Sequence, residues 1–417
     1  MQKRQTDFET ILDTTPVPTE DFVAPTPFDV TRLQFDLVTQ MDDVEADWRR
    51  LEALPRNSLH QGYDWCHSWH TAHHSDLLVV RGRIDGRTVL ILPLEAERQR
   101  GVVIAHFVAG RYNNINTGLL DEDFRYLDGK AVQIVATMLT TLLKGRADLM
   151  RFETVPLMWR DIAHPFTGLH AVQNANRTFQ LPLLETFEQT LSQLNAKRRR
   201  KKFRLQERRL EERGGYEHVI PATQEDKHAL MDLFYEQKAA RFRTLGLPDA
   251  FRADATKAFF HDLLDSKCNG LDTPLELHAI RLKGQDEGRI AAIAGLSRKG
   301  DHVICQFGSI DDTLAPEASP GELLFWLMIE RANKAGAAIF DFGIGDQPYK
   351  RSWCTVETLT FDLLIPVSLK GRIAMYALAA ETRIKATIKR NNRPYSFLQR
   401  LRAGRQVPQQ TTPAESE

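Results

Sequence analysis

Apolar and polar positions along the chain predict the same series of elements twice. Leu77–Arg83 is an apolar segment of strand length, a turn follows, and Thr88–Glu95 is a second such segment. The pattern returns at Leu275–Leu282 and Arg289–Leu296, again with a glycine-containing turn between the two segments. Each half of the chain is therefore predicted to contain a β-hairpin.

Each hairpin is followed by a third strand, a long helix and a returning strand. These elements are predicted at Val102–Val108, Asp128–Lys144 and Asp148–Val155 in the first half and at His302–Gly308, Pro320–Lys334 and Ala337–Phe342 in the second. Phe152 and Phe340 take matching places in the returning strands, 188 residues apart. A helix that returns the chain to a neighbouring strand is the βαβ crossover arrangement. We therefore expect an α/β protein with two related sheets, each flanked by helices.

The division of the chain follows from this repeat and from its composition. Residues 1–27 and 406–417 are rich in Thr, Pro and acidic side chains, which predicts disordered tails. The first half is expected over residues 28–186, the second over 187–370, and a basic helical segment over 371–405. A length of 417 residues fits two domains better than one.

Basic residues are concentrated in two segments, although the chain as a whole is neutral with 55 basic and 55 acidic side chains. Phe187–Arg213 has a helical pattern that ends at Gly214, and residues 197–213 carry ten basic and three acidic side chains. Lys197–Arg209 is therefore a candidate contact for a polyanion, such as tRNA, the phosphates of coenzyme A or an anionic lipid-linked sugar. The alternative is a solvated helix face.

The second basic segment lies near the end of the chain, where residues 370–405 carry ten basic side chains and one acidic side chain. Lys370–Arg390 is amphipathic, and its apolar positions are Ile373, Tyr376, Ala377, Ala380 and Ile384. Such a helix can make a peripheral membrane contact, or it can pack on its own domain.

Cysteine usage and hydropathy argue against several classes of protein. The chain has four scattered cysteines, with no C-x-x-C pair and no histidine at ligand spacing: Cys66, Cys268, Cys305 and Cys354. This pattern argues against a zinc site and against a disulfide framework, and it fits a reducing compartment. The start of the chain has no signal-peptide core, and no apolar run approaches the roughly 20 residues that span a bilayer. We therefore expect a cytoplasmic protein without a transmembrane segment.

Ser319, Pro320 and Gly321 open an apolar helix. Serine is a good N-cap, proline suits the first helical turn, and glycine lets another backbone or a ligand approach closely. The free N–H groups of that turn and the helix dipole suit an anion such as a pyrophosphate. The alternative is simply a well-capped buried helix.

A strand end and the loop after it form the second candidate site. An apolar strand ends with Asp341, and two glycines, Asp346, Tyr349 and Lys350 follow. Loops at the carboxyl ends of strands are where α/β folds place ligand sites. Asp341 or Asp346 is the candidate base, Tyr349 the proton donor, and Lys350 the cation that holds an anionic group. The alternatives are that Asp341 caps the loop, that Tyr349 packs, and that Lys350 forms an ion pair with Asp346.

These residues resemble a known family. The run SPGELLFWLMIERANKAGAAIFDFGIGDQPYKRSW, residues 319–353, is similar to the hallmark block of the CelD/BcsL-type acetyltransferases of cellulose biosynthesis, relatives of the FemAB-like tandem GNAT proteins. The basic segment before Gly214 resembles that family's Arg-rich linker. His60-Gln61, with Trp65 and Trp69, resembles the start of its first half. The resemblance spans roughly residues 30–370.

The resemblance implies a tandem GNAT fold and transfer of an acyl group from acetyl-CoA or another acyl-CoA to a small-molecule or sugar amine. Direct attack of the amine on the thioester would leave positioning and proton transfer to the protein. The donor would lie between the strands His302–Gly308 and Ala337–Phe342. The residues assigned to the donor are Phe307, Ser309, Ser319, Pro320, Gly321 and Glu322, and those assigned to the acceptor are Lys238, Arg241 and Trp353.

One departure from the family pattern keeps two other functions open. The GNAT phosphate loop R/Q-x-x-G-x-G/A would have Ala318 at its first position and Leu323 at its last. Three acidic residues make this loop negative: Asp311, Asp312 and Glu317. The first alternative is a FemAB-like aminoacyl transfer from charged tRNA, which would use the Arg-rich segment. The second is a catalytically silent assembly or regulatory protein of exopolysaccharide export.

Overall fold

The computed structural model describes residues 28–390 except 268, 269 and 271, and of residues 386–390 it describes the helical backbone alone. The tails predicted at 1–27 and 406–417 lie outside the described residues, as does the part 391–405 of the predicted basic segment. Among the helices in the described ranges, none is long and apolar enough to cross a membrane.

The described residues form fifteen strands and ten α-helices. The strands are β1 (Leu33–Val38), β2 (Leu77–Ile84), β3 (Arg87–Gln99), β4 (Val102–Phe107), β5 (Leu119–Leu120), β6 (Leu149–Pro156), β7 (Met158–Trp159), β8 (Ile162–Ala163), β9 (Ala171–Pro182), β10 (Tyr216–Val219), β11 (Thr273–Leu282), β12 (Ile290–Lys299), β13 (His302–Ile310), β14 (Ile339–Ile344) and β15 (Val356–Pro366). The helices are α1 (Glu45–Glu52), α2 (Tyr63–His73), α3 (Gly129–Leu142), α4 (Phe187–Ser192), α5 (Ala196–Glu211), α6 (Gln224–Leu245), α7 (Asp254–Asp265), α8 (Pro320–Lys334), α9 (Pro348–Trp353) and α10 (Leu369–Arg390). The predicted hairpins, third strands and crossover helices are all present.

The segment predicted as one helix over Phe187–Arg213 is two helices, α4 and α5. Asn195 stands between them, and its side chain accepts a hydrogen bond from the backbone N–H of Arg198. Asparagine is a strong N-cap, so the chain begins a new helix there instead of continuing the first.

Thirteen strands form a single sheet instead of the two separate sheets expected. Twelve of them follow the order β1-β2-β3-β4-β6-β15-β9-β14-β13-β12-β11-β10, and β5 pairs with β3. The order is symmetric about its centre, because β1–β4 and β6 of the first half correspond to β10–β13 and β14 of the second. The internal repeat is therefore real, but its two sheets are joined edge to edge.

The join is made by an exchange of the last strand of each half. β9, from the first half, pairs with β14 of the second, whereas β15, from the second half, pairs with β6 of the first. β9 and β15 also pair with each other. The exchange leaves neither β6 nor β14 as an open edge, so their backbone N–H and C=O groups have partners.

Phe152 and Phe340 lie on the two returning strands, β6 and β14, and both rings are buried. Phe152 belongs to the hydrophobic cluster that includes residues of α3, and Phe340 belongs to the cluster that includes residues of α8. Both rings therefore face the crossover helix of their own half, and the position-by-position match of the two residues stays a prediction.

Three large hydrophobic clusters cover the sheet, and a small fourth cluster lies under α10. One lies under α3 in the first half, and another lies under α8 in the second. The third is shared, because α2 of the first half packs on α7 of the second, with the rings of Trp65 and Phe259 edge to face at 5.1 Å. The shared cluster fixes the position of the first half against the second.

Candidate functional site

A gap between β13 and β14 defines the candidate site. The two strands pair in parallel only through His302–Ile304 and Ile339–Asp341, and they separate beyond these residues. β14 then bulges against β9, and Gly343 in the bulge has a φ of 68°. A side chain at Gly343 would collide with Asn114, so only glycine fits this bulge. The gap opens at the carboxyl end of β14, where α/β folds place ligands.

Polar side chains of the first half reach this gap. The Asn114 amide donates to Gln306 Oε1 of β13 at 3.2 Å and accepts from the Ile344 N–H of β14 at 3.2 Å. The buried ring of His60 lies 3.1 Å from the Gln306 amide nitrogen. Burial lowers the pKa of His60 to about 4, so the ring is neutral at neutral pH. The sequence-based site did not include these residues, although the Asn113-Asn114-Ile115-Asn116 run was a visible signal.

Asp341 is buried completely under the gap. Its carboxylate accepts from Gln180 Nε2 at 2.8 Å, from His302 Nε2 at 3.2 Å and from the Gly343 N–H at 2.6 Å. Burial alone would raise the pKa of Asp341, but the hydrogen bond and charge of His302, with the other two donors, hold it below its ordinary value. This carboxylate orders the β14 bulge and is not exposed to take a proton directly from a bound amine.

Asp346 and Lys350 do not form the ion pair considered as an alternative. Asp346 is instead bound by the Arg351 guanidinium, with 2.7 Å between Arg351 Nη2 and Asp346 Oδ2. Lys350 is buried, and its ammonium donates to the carbonyl oxygens of Gly343 at 3.2 Å and Ile344 at 2.7 Å. Burial lowers the pKa of Lys350. Lys350 thus holds the bulge from below and does not present its charge to solvent.

Replacing Lys350 by methionine is expected to lower the free energy of unfolding by about 1–3 kcal/mol, because two buried carbonyl oxygens lose their donor. If Lys350 instead holds an anionic ligand, the Lys350→Met variant should have normal stability and a weaker affinity for that ligand. Urea denaturation measures the first effect. Arg351→Met, which removes partly exposed ion pairs with Asp346 and Glu357 and a contact with the ring of Phe179, is the control and should cost less than Lys350→Met. Equal stability of the two variants would contradict the structural role.

Tyr349 lies near the carboxyl end of β14, between α8 and the strand. Its ring stacks on Phe325 of α8 at 5.1 Å and lies 5.9 Å from the ring of Phe342 on β14. The side chain remains 38% exposed, so its hydroxyl can meet a ligand. Burial of the ring, followed by the influence of the Cys305 and Cys354 thiols, raises the pKa of Tyr349. The hydroxyl is therefore protonated at neutral pH.

The three residues assigned to the acceptor do not form one surface. Trp353 is buried, and the guanidinium of Arg199 stacks on its ring at 3.8 Å. Lys238 donates to the Gly308 carbonyl of β13 at 2.6 Å, and burial lowers the pKa of Lys238. Arg241 is bound to Asp312 at 2.6 Å. Trp353 is thus a core residue, whereas Lys238 contacts the strand that lines the gap.

The donor residues on β13 have structural partners. The ring of Phe307 packs against Phe234 of α6 at 4.4 Å, and it is almost completely buried. The Ser309 hydroxyl donates to Gln237 Oε1 at 2.7 Å. Both side chains fix β13 to α6, which keeps this strand apart from β14.

The start of α8 differs from the capped helix expected. Ser319 has a φ of 50°, and its side chain caps no backbone N–H. A Cβ built on Gly321 would lie 2.6 Å from Ile310 Cγ2, so glycine is required there for packing. Pro320 occupies the first turn as predicted. A substitution at Gly321 would therefore disturb packing whether or not an anion binds.

The inner face of α5 supplies the positive charge that the loop before α8 lacks. Glu322 is bound by Arg199 at 2.8 Å and also by Lys202, and Arg213 lies 3.2 Å from Glu317. With Arg241 on Asp312, these pairs neutralise acidic residues that argued against a phosphate at this place. Two of the three acidic residues noted in the sequence, Asp312 and Glu317, therefore have a basic partner in the folded chain.

The outer face of α5 carries a different set of cations. We call this set the outer stripe, and its members are exposed side chains at Lys197, Arg198, Lys201 and Arg204. Lys197, Lys201 and Arg204 stand at i, i+4 and i+7, so they share one side of the helix. Within the described parts of the chain, no ion pair joins a carboxylate to these four side chains.

Two cavities lie away from the gap. One, of about 780 Å³, lies between β10–β12 and the second half of α8, and the other, of about 670 Å³, lies over β3, β4 and β6. Neither is lined by a residue that the sequence indicated for chemistry. The described part of the chain also contains no cluster of three or more His, Cys, Asp or Glu side chains suited to a metal ion.

The gap, the crossover helix α8 and the symmetric strand order define the class of protein. The chain has an α/β GNAT-like fold with a large mixed sheet flanked by helices, as the resemblance implied. Residues 197–351, from α5 to α9, match the family model of an acetyltransferase (GNAT) domain. The matched segment includes β13, β14, the gap between them and Tyr349.

Solved structures with this fold cover most of the chain. The crystal structure of FemX has 13% sequence identity and a TM-score of 0.55, covering 79% of this chain and 96% of FemX. The C-terminal domain (DUF2156) of a proposed lysylphosphatidylglycerol synthetase from Agrobacterium fabrum has 14% sequence identity and a TM-score of 0.50. The similarity covers 84% of this chain and 97% of that domain. These similarities show the fold alone. No curated protein sequence matches the chain.

Proposed function

We propose that this protein is an N-acyltransferase that moves an acyl group from an acyl-CoA to an amine at the gap between β13 and β14. The observation that supports it most is the placement of Tyr349 beside the gap, within the segment that matches the acetyltransferase (GNAT) domain. In the reaction the amine nitrogen forms a C–N bond as the thioester C–S bond breaks. The leaving thiolate takes a proton, and the amine loses one.

Tyr349 is the proposed proton donor. Its hydroxyl is protonated at neutral pH, and a positioned acid of this kind assists departure of a thiolate. Asp346 is the carboxylate that remains as a candidate base, acting through water, since Asp341 is fully buried. Lys238, on the Gly308 carbonyl, positions β13 and so the wall against which the acyl chain would lie.

The start of α8, with the inner cations of α5, is the proposed place of the donor's pyrophosphate. Arg199 and Lys202 offset the charge of Glu322, and the first turn of α8 contributes its helix dipole. This arrangement fits a phosphate chemically, although the loop sequence differs from the usual GNAT pattern.

Aminoacyl transfer from tRNA is the second candidate, and the outer stripe favours it. Four exposed cations on one helix suit a nucleic-acid backbone better than a compact pyrophosphate. The two candidates differ in which face of α5 binds the donor, which makes them separable by experiment.

Lys202→Glu is expected to weaken CoA binding about tenfold, because it replaces a cation by an anion beside the proposed phosphate position. Lys201→Glu makes the same charge change on the outer stripe and should leave CoA affinity unchanged. Isothermal titration of both full-length variants with CoA and with bulk tRNA measures the difference, and melting temperatures verify folding.

A larger loss of tRNA binding in Lys201→Glu than in Lys202→Glu, with no CoA binding by the wild type, would replace the first proposal by the second. An equal loss of CoA affinity in both variants would mean that the pyrophosphate does not bind at the start of α8.

Tyr349→Phe is expected to lower turnover about 100-fold, since a general acid contributes at least that factor. The ring and its stacking on Phe325 are kept, so stability should not change. Release of free CoA thiol from acetyl-CoA measures the rate. Tyr126→Phe, at a tyrosine of similar exposure in the first half, is the control. Unchanged turnover in Tyr349→Phe would remove this residue from the mechanism.

We propose an amino sugar or a polysaccharide precursor as the acceptor, because the resemblance to the CelD/BcsL-type proteins implies that class. A panel of amino sugars, amino acids and polyamines with acetyl-CoA tests it through thiol release. Acylation of amino acids alone would reject the sugar acceptor. Tight CoA binding without transfer to any amine would favour the catalytically silent alternative.

A further inference from the structure

Helix α10 packs on the sheet through one narrow face. Among the side chains described in 369–385, the buried positions are Gly371, Met375 and Ala379, at i, i+4 and i+8. Met375 and Ala379 belong to a small apolar cluster with residues of β6, β9 and β15, and Gly371 lies against the backbone of Asp148. The amphipathic pattern of this helix fits either packing on its own domain or contact with a membrane surface. Ala374 and Leu378 pack against the same cluster, so the contact with the sheet uses apolar side chains other than those of the exposed face described next.

The opposite face of α10 is apolar and exposed. We call it the outer face, and its large apolar side chains, with their exposed fractions, are Leu369 (74%), Ile373 (66%), Tyr376 (62%) and Ile384 (59%). These are the four most exposed large apolar side chains in the described part of the chain. Ala377 and Ala380 are exposed between them. At 1.5 Å per residue the stripe is about 22 Å long, which is large for a surface that meets only water.

Positive charge borders this apolar stripe. Four exposed cations belong to the same helix: Lys370, Arg372, Arg383 and Lys385. The one acidic side chain in Leu369–Lys385 is Glu381, and Lys385 pairs with it at 2.6 Å. The sequence continues this charge, because residues 386–405 contain six Lys or Arg and no Asp or Glu. The partner of the outer face should therefore combine an apolar layer with negative charge.

We propose that the outer face of α10 docks on the surface of an anionic lipid membrane. An amphipathic helix lies in such an interface with its apolar side chains below the headgroups and its cations at the lipid phosphates. Tyrosine suits the boundary, because its ring is apolar and its hydroxyl stays in water. A nucleic acid would match the cations but not the aliphatic stripe. This surface requires no acyl transfer, so the inference does not rest on the proposed function.

The test uses the full-length protein and sedimentation with phosphatidylcholine vesicles, with and without phosphatidylglycerol. Binding is expected to the anionic vesicles and to weaken as salt is added. The double substitution Ile373→Ser/Tyr376→Ser is expected to lower the partition coefficient about tenfold or more, because it removes two inserted side chains. Leu245→Ser/Leu247→Ser, at two exposed leucines near the end of α6, is the control and should bind as the wild type does.

Two further measurements test the role of the cations and the possibility that the outer face binds a second copy of the chain. Lys370→Glu/Arg372→Glu should lose the preference for anionic vesicles while the protein stays folded by circular dichroism. No binding to anionic vesicles, or equal binding by the Ile373→Ser/Tyr376→Ser variant, would overturn the proposal. A dimer in light scattering that this variant dissociates, without vesicle binding by the wild type, would assign the outer face to a second copy of the chain.

Discussion

Replacing Asp341 by alanine is expected to lower the free energy of unfolding by about 3–5 kcal/mol, the range for breaking a buried charged network. The carboxylate is completely buried and accepts hydrogen bonds from Gln180, His302 and the Gly343 N–H. Alanine would leave these three donors without a partner in the interior, where each unsatisfied group is costly. Urea denaturation followed by tryptophan fluorescence measures the change.

Asp346→Ala is the matched control, because it removes the other carboxylate of the same loop. Its partner is the partly exposed Arg351, and such surface ion pairs contribute less than about 1 kcal/mol. If Asp341→Ala were no less stable than Asp346→Ala, Asp341 would not order the β14 bulge.

The same carboxylate should make stability depend on acid pH. The pKa of Asp341 in the folded chain lies below its ordinary value of 3.8, so folding favours the ionised form. Its contribution is therefore complete at about pH 5 and above, and it is lost as pH falls through the folded pKa. Asp341→Asn should lose less stability than the wild type over that interval. Parallel losses in the two proteins would show that Asp341 has no depressed pKa.

The local elements could be predicted from the sequence because their signals are local. The hairpins of both halves alternate apolar residues with turns, and the observed β2 (Leu77–Ile84) nearly coincides with the predicted Leu77–Arg83. The exchange of β9 and β15 could not be predicted in this way. It depends on pairs such as Leu149 with Pro366, which are far apart in the chain and have no local pattern.

The candidate site was predicted in part for the same reason. The sequence indicates which residues follow a strand. It does not indicate that Asp341 is buried whereas Asp346 is partly exposed, because the surroundings of Asp341 include Gln180 and His302, which are distant in the chain. His60, Asn114 and Gln306 meet across more than 190 residues, so no spacing rule joins them. Tyr349 lies near the gap because the short helix α9 begins shortly after β14 ends, so its position, unlike the burial of Asp341, follows from the order of residues along the chain. Its role as proton donor stays a prediction.

Replacing Gly371 by alanine is expected to destabilise the protein by about 3 kcal/mol, the upper part of the range for overpacking. An ideal Cβ on Gly371 would overlap the carbonyl oxygen of Asp148 and lie 2.5 Å from its carbon. Both atoms belong to the backbone, so no side-chain rotation relieves the contact. The first turn of α10 would have to move away, weakening the bonds that tie Ser368 to Asp148.

Gly129→Ala is the control for Gly371→Ala, because Gly129 also lies in the first turn of a helix. A Cβ there meets no atom within 4 Å, and alanine favours a helix over glycine by up to about 1 kcal/mol. Gly129→Ala should therefore equal or slightly exceed the wild type in urea denaturation. Hydrogen exchange should show faster opening of α10 in Gly371→Ala alone. If the two glycine variants unfold at the same urea concentration, α10 does not depend on close contact with Asp148, and its outer face need not point away from the sheet.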